Sequence, residues 1–337
     1  MAGAVVEQAW RDAAPDDIEA ALAALWREVA QEATVARAVM SNLVVVRACE
    51  ADEPLDAFAG AHADAIDAVA GRHPSRVIVI AHEHACPLSR APIAARVGVA
   101  TYGPPQARYA IEQVCVRSSC ESSSLPSIVR RLTRGDLPTS VWYLGDLSQQ
   151  PPLEAIVAEA RQLIYDSRLW RDVRAGVRGV MAAIDETRTD VADLNWRRLA
   201  PVRQALRHAG EALGVEDLSR ARLTIAHAPD ETALAWLLHG WLASRLGWSD
   251  DLRPRLIAQE GDAALTLTLG APPAETTIAL TPDHVRVAQH GWPPYVLGVP
   301  HEAAADAIAA ELRSLSTDAV LLDTLRALAR LTSAASS

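Results

Sequence analysis

Short apolar runs alternate with amphipathic helical patterns through the first half of the chain, and this alternation constrains the fold more than any other feature. Residues 42–47 and 77–80 are both typical of strands buried on two faces. A helical pattern with Asp16 as its expected N-cap precedes the first run, and a second pattern, expected to end at Gly71, separates the two runs. Strand, helix and strand in this order predict a βαβ unit and a largely parallel sheet.

More strands are predicted later in the first half, at residues 95–102, 108–117, 139–145 and 162–165. Asp166 and Ser167 follow the last of these runs, and we expect them to cap a helix that buries Trp170 and Val177.

The second half of the chain has a different pattern of apolar residues. An apolar helix is expected between Asp230 and Gly247, and two helices are expected at the end of the chain, the last one capped by Thr317. Between them lie short apolar runs separated by Gly and Pro, a pattern that indicates an antiparallel sheet or meander. These runs occupy residues 255–259, 263–269, 276–280 and 285–289.

The predicted fold class is therefore α/β. An N-terminal mixed, largely parallel sheet flanked by helices is followed by a C-terminal α+β part with an antiparallel sheet. We expect an N-terminal α/β domain at residues 1–189, a junction helix at 190–214 and a C-terminal α+β domain at 215–337.

Charge and composition narrow the classes of partner. The net charge of −10 disfavours nucleic acid, because phosphate binding needs a basic surface. All 32 basic residues are Arg, so Schiff-base and Lys-nucleophile chemistry is excluded. The first residues do not resemble a signal peptide, and no run approaches the roughly 18 apolar residues of a membrane span. We expect a cytoplasmic protein with reduced thiols and no membrane partner.

Several motifs that would predict an enzyme or a cofactor are missing from the sequence. It has no Gly-x-Gly-x-x-Gly after a strand, no phosphate-binding P-loop, no Gly-x-Ser-x-Gly and no His-Glu-x-x-His. These observations favour a non-catalytic protein without a cofactor.

One short stretch offers metal ligands. His82, His84 and Cys86 alternate, so an extended segment would place all three on one side, and each can bind zinc. A solvated loop is the favoured interpretation, because no paired cluster supplies a fourth ligand. Cys115 and Cys120 lie close enough for a redox pair, although two separate reduced thiols are favoured.

The segment from Asp190 to Leu206 has the most specific physical content. Drawn as one helix, it places Leu199, Val202, Leu206 and Leu213 on one side and Trp196, Arg203 and Arg207 on the flank. Pro201 must then either begin a new helix or kink the existing one. A Trp beside two Arg residues has the composition of a binding hot spot, and it is also compatible with a Trp held in an inter-domain seam by Arg ion pairs.

Residues 193–203, Asp-Leu-Asn-Trp-Arg-Arg-Leu-Ala-Pro-Val-Arg, resemble the OpcA family of glucose-6-phosphate dehydrogenase assembly proteins of cyanobacteria and actinobacteria. Three other segments resemble the same family in the same order: residues 73–80, 137–145 and 240–248. The chain departs from the family pattern at Arg197, where Thr is common, at Val202, where Trp is frequent, and at Tyr143, where the family has a second Trp.

The resemblance implies a bacterial, non-catalytic allosteric activator. It would bind glucose-6-phosphate dehydrogenase and promote the active oligomer of that enzyme, in support of the oxidative pentose phosphate pathway. Ten side chains are the resulting signature or interaction candidates: Asp193, Asn195, Trp196, Arg197, Arg198, Arg203, Arg207, His73, Arg76 and Trp142.

Two alternatives stay open from the sequence. Arg72, Arg76, Arg197, Arg198 and Arg203 could converge at the carboxyl edge of the sheet and hold a sugar phosphate or nucleotide, which would make the chain a sensor. A metal-dependent enzyme built on His82, His84 and Cys86 is the other.

Overall fold

Two sheets and the helices packed on them form the described part of the chain in a computed structural model. The structure describes residues 5–32, 35–49, 53–60, 62–83, 93–104, 107–118, 125–149, 154–213, 222–248, 255–270 and 275–334.

The first sheet has ten strands in the order β1-β6-β7-β5-β4-β8-β9-β10, with β2 paired to β6 and β3 paired to β7. The strands are β1 (Val5–Glu7), β2 (Arg11–Asp12), β3 (Ala36–Arg37), β4 (Ser41–Cys49), β5 (Ser75–Glu83), β6 (Ala94–Tyr102), β7 (Tyr109–Ser118), β8 (Thr139–Tyr143), β9 (Gln162–Tyr165) and β10 (Asp190–Asp193). From β7 to β10 every pairing along this order is parallel, whereas β6 and β1 are antiparallel to their neighbours.

Helices cover both faces of this sheet because its strands carry apolar side chains on both sides. In β4, Leu43 and Val45 face one core while Val44 and Val46 face the other. The first core is closed by α3 (Ala63–Arg72) and α10 (Ala304–Ser314), and the second by the remaining helices of the first half. These are α1 (Pro15–Glu32), α4 (Leu125–Leu132), α5 (Glu154–Ala158) and α6 (Val173–Thr187), while α2 (Leu55–Gly60) precedes α3.

The second sheet has six strands in the order β12-β11-β13-β14-β15-β16, all antiparallel except β11 with β12. They are β11 (Leu223–His227), β12 (Arg255–Ala258), β13 (Leu265–Leu269), β14 (Thr276–Leu280), β15 (His284–Gln289) and β16 (Tyr295–Gly298). Alternate residues of β13 and β14 are buried under α8 (Ala200–Leu213) and α9 (Thr232–Leu246), and α11 (Ala319–Ala334) packs on α9. The predicted fold class is confirmed.

Several helix boundaries differ from the sequence prediction. The second helical pattern is two helices, and Gly71 lies inside α3, which continues to Arg72. Asp166 caps only a 3-10 turn at Ser167–Leu169, and α6 begins later, with the Asp172 side chain accepting a hydrogen bond from Ala175 N. Two Asp residues that could cap a helix, Asp166 and Asp172, thus lie within seven positions of each other. The sequence alone favours Asp166, which does not cap α6.

The N-cap residues of two later helices also differ from the prediction, because neighbouring polar residues compete for the cap position. Glu231 rather than Asp230 precedes α9 and makes no side-chain cap bond. Asp318, not Thr317, caps α11, because its Oδ1 accepts from the backbone N–H of Val320 and Leu321 at 2.9 and 3.0 Å.

The C-terminal part of the chain returns to the first sheet. Ala305, Ile308 and Leu312 of α10 belong to the same core as Leu43 and Val45 of β4. The division into domains at residues 189 and 214 stays a prediction. Among the described residues, no helix is long and apolar enough to cross a membrane.

Candidate functional site

The signature segment, residues 190–207, does not form one helix. Asp190–Asp193 is strand β10, which pairs in parallel with β9, and it is followed by the short helix α7 (Leu194–Arg198). A new helix, α8, begins at Ala200 and has Pro201 in its first turn, where the missing N–H of proline costs no hydrogen bond. The expected junction helix is therefore a strand and two helices, and the proline marks the second start.

Asp193 fixes the start of α7. It is buried, and its Oδ1 accepts hydrogen bonds from Asn195 N at 2.9 Å and from Ser167 N at 3.0 Å. Burial raises the pKa of Asp193 to about 7, and the negative charge of Asp166 adds to the rise, while the two backbone hydrogen bonds act in the opposite direction. Among the described residues, its buried Oδ2 finds no hydrogen-bond partner, which agrees with the raised pKa.

Asn195 and Arg198 extend the same polar connection to α9. Asn195 is fully buried and donates from Nδ2 to Ser167 Oγ at 3.0 Å. Its Oδ1 accepts from Arg198 Nη1 at 2.9 Å, and the same nitrogen donates to Glu231 Oε2 at 2.6 Å. Arg198 thereby joins α7 to the residue that precedes α9.

Arg197 joins α7 to the region of α10. Its guanidinium donates to both oxygens of Glu302, at 2.6 and 2.9 Å, and to Glu311 Oε1 at 2.6 Å. The hydrogen bonds with Glu302 and Glu311 raise the pKa of Arg197 further above its ordinary value, so it is a permanent cation.

Trp196 completes the connections of α7. Only 3% of it is exposed, and its Nε1 donates to Asp318 Oδ2 at 2.8 Å, at the start of α11. The Arg203 guanidinium lies 3.8 Å from the centre of the Trp196 ring, a cation–π contact. Burial lowers the pKa of Arg203, and Asp318 opposes that shift. The structure therefore brings Trp196 and Arg203 together, although they lie on two different helices, and it buries the Trp against the chain itself.

These contacts make α7 a hub. We use the name signature hub for α7 together with its carboxylate partners Glu231, Glu302, Glu311 and Asp318. The hub links the end of β9, the start of α9, the region of α10 and the start of α11. Arg207 lies one turn beyond Arg203 on α8, is exposed, and is not part of the hub.

The first-half signature residues lie elsewhere: His73 lies at the amino end of the parallel strands, and Trp142 lies near the carboxyl end of β8. His73 is buried, its Nε2 lies 3.1 Å from Ser41 Oγ, and burial lowers its pKa, with the charge of Arg313 adding to that effect. Trp142 of β8 is buried in the core that α3 and α10 close. Both residues are therefore buried parts of the first sheet and its core in this structure.

Arg76 belongs to a buried network centred on Glu112 of β7, which is 1% exposed. Arg37, Arg76 and Arg134 all lie within ion-pair distance of this carboxylate, with Arg76 Nη1 at 3.2 Å from Oε2. Trp26 Nε1 donates to Oε1 at 2.7 Å, and Arg76 also pairs with Glu19. We call this set the Glu112 network.

The five Arg residues proposed for a sugar-phosphate sensor do not converge. Arg72 pairs with Asp306, and Arg76 lies in the Glu112 network at the amino end of the strands rather than at the carboxyl edge. Arg197 and Arg198 each bind their own carboxylates in the signature hub. The structure thus argues against that cluster, because four of its members are already neutralised in three different places.

The zinc candidates lie outside what the structure describes. His84, Cys86 and Cys120 are not among the described residues, and the side chain of His82 is likewise not described. Within the described ranges, no group of three His, Cys, Asp or Glu side chains could hold a metal ion. Cys115 is a free thiol in β7, and burial raises its pKa to about 11, which makes it unreactive at neutral pH.

A groove of about 620 Å³ opens between α8 and α9 above the end of β13. Its apolar lining includes Leu206, Trp241, Leu242, Leu246 and Leu269. Arg203, Arg207 and Arg245 lie along it, together with Ala200, Gln204 and Gly210. Such a volume is in the range of ligand pockets, and a groove walled by two helices also suits a peptide.

Comparison with known families agrees with the resemblance of the sequence. Residues 66–181 match the OpcA family model described as the glucose-6-phosphate dehydrogenase subunit N-terminal domain. Residues 189–325 match the model described as the C-terminal domain of the same subunit. The chain belongs to the OpcA family.

Two cyanobacterial OpcA relatives match more locally. The OxPP cycle protein OpcA of Synechococcus elongatus is 30% identical over 141 residues, which are 41% of this chain and 32% of the relative. The OpcA protein of Synechocystis is 24% identical over 146 residues, 41% of this chain and 30% of the relative. The matched region thus spans about a third of the length of these OpcA relatives.

Among solved structures, biliverdin reductase from Synechocystis, in complex with biliverdin and NADP⁺, is similar with a TM-score of 0.47 and 10% identity. The similarity covers 88% of this chain and 99% of that one. Gal80p from Saccharomyces cerevisiae has a TM-score of 0.46 and 9% identity, over 88% and 96% of the two chains. Likenesses this weak carry no inference about the activity of the OpcA family member described here.

The sequence reasoning missed the carboxylate half of both networks. Glu302, Glu311 and Asp318 lie more than a hundred positions from α7, in or just before helices α10 and α11. Glu112 stands in an alternating strand pattern, where a charged residue is expected to face water. The only available signal was the excess of Arg in the signature, since closely packed Arg residues require carboxylate partners.

Proposed function

We propose that this chain is a non-catalytic assembly factor that binds glucose-6-phosphate dehydrogenase and promotes the active oligomer of that enzyme. The proposal rests on one observation, the two adjacent OpcA family matches that together extend from residue 66 to residue 325. The names of both models refer to a subunit of that dehydrogenase. The chain would act in the cytoplasm, in the oxidative pentose phosphate pathway, with the dehydrogenase as its partner and without a cofactor of its own.

The geometry of the signature supports a scaffold role rather than a reactive centre. Asp193, Trp196, Arg197 and Arg198 all bind other parts of the same chain. A segment used in this way holds a fixed surface in shape, and a fixed surface binds a partner with a smaller loss of conformational entropy.

The mechanism we propose is a shift in population. If the chain binds the assembled, active form of the dehydrogenase more tightly than the unassembled form, the ratio of its two affinities sets the size of the shift. Moving an equilibrium from 1:99 to 99:1 needs a differential affinity of about 10⁴-fold. A tenfold difference would produce a partial activation.

The test is to mix the purified chain with the dehydrogenase of the same organism. Analytical ultracentrifugation measures the oligomer size of the enzyme, and initial rates measure its half-saturation by glucose 6-phosphate. We expect a larger species or a lower half-saturation concentration, dependent on the amount of chain added. Unchanged sedimentation together with unchanged kinetics would refute the proposal.

A further inference from the structure

The groove between α8 and α9 differs from the signature hub in that its described lining contains three Arg residues and no carboxylate residue. Its walls are two helices on the same face of the second sheet, and Leu269 of β13 lies at its base. From Ala200 to Gly210 the groove follows α8 for ten residues, a length of about 15 Å at the rise of an α-helix. It therefore matches about three turns of a helix laid along it.

The lining of the groove is amphipathic. Leu206 and Leu242 are buried at its base, and Trp241 and Leu246 are half-buried, so an occupant would cover the exposed parts of the last two. An occupant with one apolar face could thus remove apolar surface of the groove from water.

The charged residues of the groove are all cations. Arg203 and Arg207 are four residues apart on α8, so their side chains lie on one face, and Arg245 stands on the α9 side. Arg245 pairs with the exposed Asp323 at 2.8 Å, whereas no ion pair of Arg207 is found among the side chains that the structure describes. In a chain with a net charge of −10, this local excess of positive charge is distinctive and favours an acidic occupant.

Arg203 is held in place before any partner arrives. Its guanidinium lies on the Trp196 ring, and its buried Nε has no hydrogen-bond partner in the part of the chain that the structure describes. Because the stacking restricts the rotamers of this long side chain, a carboxylate that reaches it pays little further side-chain entropy. The contact between Arg203 and Trp196 thereby connects the signature segment to the groove.

We propose that this groove binds an acidic amphipathic helix of glucose-6-phosphate dehydrogenase. The inference rests on the proposed function and assigns to it a surface and a partner chemistry. Carboxylates one turn apart on the bound helix would face Arg203 and Arg207, and the apolar face of that helix would lie on Trp241 and Leu246.

The first measurement is the affinity of the purified dehydrogenase for three forms of the full chain. These are the unaltered chain, Arg207→Glu and Arg286→Glu. Arg207 is exposed in the groove, and Arg286 is also exposed and is placed by the alternation in β15 on the opposite face of the second sheet. Both variants change the net charge equally, so Arg286→Glu controls for long-range electrostatics.

We expect Arg207→Glu to raise the Kd more than tenfold at low salt, because it places like charges opposite each other. Arg286→Glu should change the Kd less than twofold. Thermal melts should be the same for both variants. Equal affinities for all three forms, or a loss confined to Arg286→Glu, would overturn the groove assignment while leaving the proposed function intact. If the unaltered chain does not bind the dehydrogenase, the proposed function and this inference fail together.

The second measurement identifies the occupant. A photo-reactive benzoylphenylalanine replaces Gln204, which is exposed along the groove, and the cross-linked peptide is sequenced by mass spectrometry. We expect a dehydrogenase segment with acidic residues and helical apolar periodicity. A cross-linked segment without that pattern, or intact binding with no cross-link, would contradict the proposal.

A small anion is the competing occupant, and calorimetry with glucose 6-phosphate alone distinguishes it. We expect no heat of binding. Heat that the unaltered chain gives and Arg207→Glu loses would overturn the helix and assign the groove to a sugar phosphate.

Discussion

The Glu112 network and the signature hub use the same chemistry in opposite ways. In the Glu112 network, three Arg residues share one carboxylate that is almost completely buried. In the signature hub, two neighbouring Arg residues each have their own carboxylates, and about a third of each guanidinium side chain remains exposed. The first arrangement neutralises three cations with one carboxylate, whereas the second spreads its ion pairs over four chain segments.

The two regions should respond differently to the removal of one charged residue. Removal of one member of a buried ion pair leaves an uncompensated charge in a medium of low dielectric, whereas water screens the charge left behind at a partly exposed pair. The Glu112 network should therefore fail as a unit, and the hub should lose its links one at a time.

The largest expected effect is at Glu112. Glu112→Gln keeps the size of the side chain but leaves Arg37, Arg76 and Arg134 without their shared anion. We expect a loss of about 3–5 kcal/mol in the free energy of unfolding, measured by urea denaturation. Glu159→Gln, which removes the carboxylate of an exposed pair with Arg130, should cost less than about 1 kcal/mol. Similar losses in both variants would remove the distinction between the two arrangements.

Trp196 tests whether the hub holds α11 in place. Trp196→Phe keeps an aromatic ring under Arg203 and loses the hydrogen bond to Asp318. A hydrogen bond to a charged group contributes about 1.5–3 kcal/mol, and we expect a destabilisation in that range. Trp292→Phe is the matched control, because Trp292 is 64% exposed. Hydrogen exchange should show faster exchange at the start of α11 only in Trp196→Phe, and unchanged protection there would contradict the link.

Asp193 introduces a pH dependence that belongs to the hub. Its pKa is raised from an ordinary value of 3.8 to about 7 by burial, so the folded state binds the proton more tightly than the unfolded state. Stability from this group is therefore present below pH 4 and is lost as the pH rises towards 7, at up to about 1.4 kcal/mol per pH unit.

Asp193→Asn keeps an oxygen that can cap α7 and removes the titration. We expect the difference in unfolding free energy between the two forms to shift by about 2 kcal/mol between pH 5 and 7, in favour of the Asn variant at the higher pH. Urea denaturation at several pH values measures this shift. The depressed pKa of His73 acts in the opposite direction, and it cancels in the comparison. Parallel stability curves for the two proteins would disprove the assignment.

The smallest effects should come from single cations at the surface. Arg197→Gln loses two carboxylate partners at partial exposure, and we expect a loss of about 1 kcal/mol. Arg245→Gln loses one exposed pair with Asp323 and should cost less than about 0.5 kcal/mol. Thermal unfolding at low and high salt measures both. A larger loss in Arg245→Gln would reverse the order that burial predicts.

The fold could be predicted from the sequence because its signal is local. In β4 and β5, uninterrupted apolar residues indicate strands covered on both faces, and alternation in β13 and β14 indicates strands with one covered face. Strand β10 was missed because Asp190 and Asp193 bracket only two apolar residues, and the helical periodicity of the segment after it extends across the boundary.

The candidate site could be predicted only in part. A single helix drawn over the segment placed Trp196 beside Arg203, and the contact forms although the two residues lie on different helices. The helical pattern could not show that Asp318, 122 positions away, covers the Trp, or that Glu231 neutralises Arg198 from 33 positions away. Partners brought together by the tertiary fold leave no trace in local spacing. The groove was missed for the same reason, since α8 and α9 form its two walls from separate parts of the sequence.

The position of α10 on the first sheet has a consequence for how the protein is made. The last strand of that sheet ends at Asp193, but Ile308 and Leu312 are needed to cover the face that holds Leu43 and Val45. At synthesis rates of about 5–20 residues per second, the part of that face not covered by α3 would stay exposed on the ribosome for roughly 6–24 s. During this interval we expect the nascent chain to display apolar surface of the first sheet, the kind of surface that chaperones bind.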